Sequence, residues 1–454
     1  MMLLEYLKHT FLHPRPASEE DIPPEAALMI NFRIIIVEFA DNVEGIGGEL
    51  LSSLLRSCEG LSVNYYNHPF DKSFLNLESR TLFDLIDKGQ SILDKSGADL
   101  LIWGTREGNK IRLNFQTPFQ YETEGDSFVS LLDALYFPVE FFNGQKPFPE
   151  PLINLLYGAI ICALNFKEKT KQIQKKYLLK KIIAKLSSAN AAKTISLDYL
   201  PYVMNFLGLI YLSFCATSPE DKDFKIVKNL FDTAFSHQNL ITNPLHIGCL
   251  YYHLGQMHSA ASVYLTKRPF NSYRNAIHNY RLAQKYLGKY TYPYDYGVIS
   301  YKLSDLYYSY WRQKEDIQAL RDSVFYLREA EKIFTYALFP DLWAQIQGRI
   351  GYLLSLLSTA AGSYEIAELA IVAYKNQQKI ITEKRDPLLW AQIQEKIGDI
   401  YFRLGKKDAN KENMEEALEY FHDALYIFEN MNLSDATKRL SSSIAKTNQT
   451  LSYY

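Results

Sequence analysis

The 454-residue chain is read as α+β and multidomain, with a small α/β domain followed by an all-α superhelical solenoid. Three observations predict it. Pro293, Pro340 and Pro387 open segments of equal length, 47 residues apart, and two of these segments are near copies: Asp341-Leu342-Trp343-Ala344-Gln345-Ile346-Gln347 and Leu388-Leu389-Trp390-Ala391-Gln392-Ile393-Gln394. A fixed period of this size marks stacked supersecondary units, none of which buries its apolar face without a neighbour. Ahead of them, short β-branched and apolar runs alternate with helical spacing, the pattern of an α/β layer. Charge divides at the same place: Lys+Arg number 12 against 22 Asp+Glu over residues 1–148, and 37 against 29 over 149–454.

Residues 1–29 contain Pro14, Pro16, Pro23 and Pro24 beside Glu19-Glu20-Asp21, a composition that predicts a flexible arm. The α/β domain spans 30–148. Its expected elements are a strand over Phe32–Phe39, a helix over Gly48–Cys58, a strand over Leu61–Tyr66 and a helix over Arg80–Ser96. Strands at Asp99–Gly104 and Lys110–Thr117 follow, joined by a hairpin at Glu107-Gly108-Asn109. Paired helices are expected over 149–432, about six pairs in all, and a capping helix with its tail over 433–454, N-capped within Asn432-Leu433-Ser434. The uncharged run Pro151–Phe166 holds Asn154 and Asn165 and is shorter than the ~20 residues of a membrane span, so a buried helix is expected there. No secretory signal is expected from the Glu5-bearing start, and Cys58, Cys162, Cys215 and Cys249 lack disulfide spacing, which suits a reducing, cytoplasmic compartment.

Two family resemblances follow from particular residues. Gly97-Ala98-Asp99-Leu100-Leu101-Ile102-Trp103-Gly104, followed by alternating Ile111-Arg112-Leu113-Asn114-Phe115, resembles the α/β domain at the front of the bacterial Tol-system propeller protein and of curli-export-like lipoproteins. That resemblance covers about residues 31–118 and implies a role in assembly and contact. Gly398, Tyr401 and Gly405, repeated as Gly248, Tyr251 and Gly255, are similar to the tetratricopeptide-repeat signature, as is the second-helix column Ala276, Ser323, Ala370, Ala417. Units in that family are about 34 residues long, so these are long variants, similar to arrays in bacterial repeat proteins. The resemblance implies a superhelical array that binds a partner polypeptide in its groove.

Candidate chemistry is sparse. Gly45-x-Gly47-Gly48 sits between a strand and a helix, where a phosphate loop would lie, but Leu50 replaces the third glycine and Glu38, Asp41, Glu44 and Glu49 crowd the place with charge that repels phosphate. His246, Cys249, His253 and His258 have spacing that permits metal ligation, although a small buried cysteine and ordinary surface histidines account for them better. No nucleophile–base or paired-carboxylate motif emerges, so no catalytic residue, cofactor or metal is assigned and the chain is not expected to be an enzyme. Lys167–Lys185 holds eight Lys and one Glu, with Lys176, Lys180 and Lys181 away from its apolar side. It suits a solvated face, docking of the acidic front domain, an acidic partner or, less well, anionic lipid. No nucleic-acid stripe is present.

A basic column recurs at the repeat period, Lys302, Arg349 and Lys396, flanked by the amides of Gln345 and Gln392 and of Gln347 and Gln394. These are the expected partner-binding residues, facing a protein or peptide. The alternative function is a nucleotide or small-ligand sensor, or an enzyme, in the α/β domain, with the array recruiting partners.

Overall fold

The computed structural model describes residues 30–40, 47–68, 80–118, 129–130, 132–166, 168–188, 196–217, 221–264 and 269–453. The expected arm at 1–29, the turn at 41–45 and Lys167 lie outside the described residues. The fold class is α+β: an amino-terminal sheet region precedes a long helical one. The chain divides into two compact units, residues 1–299 and 300–454.

The first unit is built on a five-stranded sheet of order β2-β1-β3-β4-β5, from β1 (Phe32–Val37), β2 (Leu61–Tyr66), β3 (Leu100–Glu107), β4 (Lys110–Gln116) and β5 (Leu135–Pro138). β1 is parallel to β2 and β3, through α1 (Gly47–Leu55) and α2 (Arg80–Ser96), and β3-β4-β5 is antiparallel. β3 and β4 are joined through Gly108-Asn109, where Gly108 takes a φ of 62° that costs a side chain strain but glycine none. β5 escapes the sequence reading, because four residues closed by a proline carry no readable alternation.

Ile34, Ile35 and Ile36 are all buried because both faces of the sheet are covered, which is why their run is continuously apolar. Ile34, Ile36, Leu100, Ile102, Leu113 and Phe115 share one core with α3 (Glu150–Ala163) and α5 (Leu200–Thr217), including a Phe115–Phe206 ring contact at 5.9 Å. On the opposite face Gln116 donates its amide to the Ile86 carbonyl of α2 at 2.8 Å. The expected membrane-run sequence is therefore a core helix, and among the described residues no helix is long and apolar enough to cross a membrane.

Helices α4 (Lys169–Ser188), α6 (Asp221–Ser236), α7 (Pro244–Tyr264) and α8 (Pro269–Tyr286) complete the pairs α3/α4, α5/α6 and α7/α8. α9 (Pro293–Lys314), α10 (Ile317–Glu331), α11 (Pro340–Ala361), α12 (Tyr364–Gln378), α13 (Pro387–Asp408), α14 (Lys411–Asn430) and α15 (Ser434–Leu451) follow. Neighbouring helices pack as pairs, and α15 packs on α13 and α14. The N-cap of α15 falls within the expected stretch, at Leu433, but without a side-chain bond; Ser434 is the first helical residue and Asn432 is left-handed at φ 56°.

Candidate functional site

In the second unit each hairpin is made by the same local rules. Glu315, Gly362 and Ala409, 47 residues apart, are left-handed at φ 55°, 65° and 52°. Each is followed by a capping residue whose side chain accepts from the next helix: Asp316 from Gln318 N at 2.9 Å, Ser363 from Ile366 N at 3.3 Å, Asn410 from Asn413 N at 3.0 Å. Two residues thus reverse the chain. Close packing then locks each pair. A Cβ on Gly351 would stand 2.9 Å from the Tyr374 ring, and one on Gly398 2.7 Å from Phe421. Where the earlier hairpin has Ser304 at the glycine position and Ser323 at the alanine position, the two hydroxyls bond at 3.0 Å under full cover.

Consecutive hairpins are tied by a second regularity. Arg349 pairs with Asp305 at 2.6 Å, Tyr352 OH bonds Tyr308 OH at 2.8 Å, Arg385 pairs with Asp341 at 2.6 Å, Arg403 bonds Thr359, and Arg439 of α15 pairs with Glu395 at 2.8 Å. Every one of these ties spans 44 residues, one repeat less three residues, so each side chain meets a partner on the preceding unit about one helical turn beyond its own equivalent position. Beneath them lies a buried amide bridge. Gln347 donates to Glu331 and accepts from Asn376 at 3.4 Å; Gln394, one repeat on, donates to Asp423 at 2.9 Å and accepts from Gln378 at 2.8 Å. Each bridge links three successive helices.

The expected partner-binding residues fall into two groups. Gln345, Gln392 and Lys396 are exposed on the first helices α11 and α13. Lys396 also lies 5.7 Å from the Tyr374 ring centroid. Arg349 is half-buried, held by Asp305 and stacked 5.1 Å from the Tyr308 ring, while its Nε is without a partner. Lys302 is half-buried; desolvation lowers its pKa and Asp305 pulls it back up. Gln347 and Gln394 are corrected from surface donors to core bridges, because two residues along a helix from an exposed glutamine lies nearly the opposite face. An aromatic group missed in the sequence borders the column: Tyr308 stacks on Trp311 at 5.8 Å and meets Tyr352 edge-on at 5.8 Å.

Gly45 of the glycine-rich motif lies outside the described residues, while Gly47 and Gly48 open α1. Glu38, buried, accepts from Gly48 N at 3.1 Å, Phe39 N at 2.7 Å and Tyr65 OH, so a carboxylate of the chain already occupies the start of α1 where a phosphate would bind. On α4, Lys181 pairs with Glu59 at 2.9 Å and Lys171 with Asp99 at 3.0 Å, while buried Lys175 donates to the Cys162 and Leu164 carbonyls at the end of α3. Lys176 and Lys180 are half-buried.

The histidine group of α7 belongs to a buried polar cluster. His253 bonds Asp133 at 3.0 Å through Nε2 and Asn205 at 2.7 Å through Nδ1; Ser130 donates its N–H to Asp133 at 2.7 Å and its hydroxyl to Asp295 at 2.7 Å. His246 faces Tyr136 OH at 3.1 Å instead, and burial, aided by Arg112, lowers its pKa to about 3. Burial lowers His258 to about 4 and raises the Cys249 thiol well above its ordinary range. His246 and His253 therefore meet different partners, and among the described residues no three His, Cys, Asp or Glu side chains form a metal-holding group. The small cavity beside them, lined by Asp133, Asn205, His246 and Cys249 among others, has the size of about one water molecule. No family model matches the chain, and no curated protein matches it.

Proposed function

We propose that this chain is a non-enzymatic interaction scaffold, a bacterial cytoplasmic protein of tetratricopeptide type whose array binds a partner polypeptide on its first-helix face. The observation that carries the reading is the register of ties in the second unit. Side chains that hold one hairpin to the next recur at the same offset, while Gln345 and Gln392, one repeat apart, are left exposed on the same helix position. A surface fixed in this way loses little order when it binds. The sensor alternative has less support, since Glu38 fills the helix start that a phosphate would need.

Photo-crosslinking tests the reading. A benzophenone amino acid placed at Gln345 or Gln392 of the full chain is expected to form a specific adduct with a polypeptide in its native extract. The same group at Leu369 or Val372, exposed on the second helix α12, is expected to form none. Adducts confined to α12 would contradict the assignment of the face.

A further inference from the structure

Side-chain ties place the first helices of successive hairpins next to one another: Asp305 and Tyr308 of α9 meet Arg349 and Tyr352 of α11, and Ser355 and Thr359 of α11 meet Arg403 of α13. Helices in such contact lie about 8–10 Å apart. One cation per helix then recurs at that spacing, because Lys302, Arg349 and Lys396 occupy the same repeat position. A polyproline II segment advances about 3.1 Å per residue with three residues per turn, roughly 9 Å between side chains on one face. The two spacings coincide.

Resting on the groove reading above, we propose that the first-helix face of the second unit takes an extended anionic peptide of polyproline II type, with an acidic side chain at every third residue. Lys302, Arg349 and Lys396 each meet one carboxylate. Gln345 and Gln392, four residues before Arg349 and Lys396 and so on the same side of their helices, meet the backbone carbonyls and N–H groups that such a segment leaves unbonded. Charge supports the sign. Helices α9, α11 and α13 carry eight basic against six acidic residues, whereas α10, α12 and α14 carry four against eleven. Lys396 is exposed, while Arg349 and Lys302 are half-buried beside Asp305. The wide spacing of the cations disfavours a nucleic acid, whose phosphates would follow one another far more closely.

The test is fluorescence anisotropy on the full chain at low salt, with three labelled probes: Glu-Pro-Pro repeated six times, a peptide of the same composition with its glutamates in one block, and Gln-Pro-Pro repeated six times. The periodic acidic probe is expected to bind at least tenfold more tightly than either control. Lys302→Gln with Lys396→Gln, which leaves the Arg349–Asp305 tie intact, is expected to weaken it at least fivefold with an unchanged melting curve; adding Arg349→Gln weakens it further. Equal binding of the blocked peptide, undiminished binding by the double variant, or preferential binding of oligouridylate would each overturn the proposal. Adducts at Gln345 or Gln392 without binding of the periodic probe would leave the groove reading standing and remove this one.

Discussion

The first unit hides its polar groups in arrangements that occur once. His253 between Asp133 and Asn205, Lys175 on the carbonyls ending α3, and Glu38 at the start of α1 each answer a local need, and none has a counterpart among the described residues of that unit. In the second unit the same kinds of need are met by repetition: Gln347 and Gln394 bridge the same pair of repeat positions with opposite hydrogen-bond polarity, and Glu315, Gly362 and Ala409 make equivalent turns. Single-use polar networks make a core specific and brittle, whereas repeated nearest-neighbour contacts distribute stability along the chain. The difference also separates the places where function is expected. A buried network has little surface to offer, and a repeated one presents the same side-chain position again and again.

The contrast can be broken most forcefully at His253. His253→Leu would strand the Asp133 carboxylate under full cover, and a loss of about 3–5 kcal/mol is expected in chemical denaturation. A loss below about 1 kcal/mol would mean the network is not what holds Ser130 and Asp133 against α7.

Next in size is a pH effect at Asp295. Burial, with Asp133 nearby, raises its carboxyl from 3.8 to about 7, so the folded chain keeps a proton that the unfolded chain has released. Its stabilising contribution is full below about pH 4 and is lost as pH rises through 7. Asp295→Asn removes that loss, so its melting temperature relative to the parent should climb between pH 4 and pH 8, by the equivalent of roughly 2–4 kcal/mol. His246 acts oppositely: held down to about 3, it adds stability above 6.5 that fades as pH falls. A flat difference for Asp295→Asn across that range would rule out the buried carboxyl as described.

Smaller effects sharpen the repeat side of the comparison. Gln347→Leu and Gln394→Leu should each cost about 1–3 kcal/mol by leaving bridged groups unsatisfied, and the two losses should agree closely. At the turns, Ala409→Gly and Glu315→Gly should each stabilise by up to about 1 kcal/mol, because a left-handed residue with a side chain is strained there. Gly362→Ala should do the reverse. Thermal melts that rank these three otherwise would show the turns are not equivalent.

Much of this was legible where a period carries the information. Proline starts, glycine–aromatic spacing, the apolar run of β3 and the alternation of β4 are local patterns. The first-helix column was legible as a register but not in its pairing, since the partner of Arg349 is Asp305, set by the 44-residue offset between packed helices. Aligning the repeats and looking one turn further along the preceding unit would have found it. Gln347 and Gln394 were misplaced because their composition resembles that of Gln345 and Gln392 while their helix face does not. The metal-like spacing of His246, Cys249 and His253 was real, yet spacing along one helix says nothing of Tyr136 or Asp133, which arrive from elsewhere in the chain and draw the two rings apart.

Hydrogen exchange on the second unit of the full-length protein tests the equivalence of its hairpins most directly. Gln347→Leu is expected to speed exchange in α10, α11 and α12, and Gln394→Leu to speed it by a similar factor one repeat later, in α12, α13 and α14. Unequal responses at the two sites, or a uniform rise across the unit from either substitution, would contradict a surface held together by the same contact used twice.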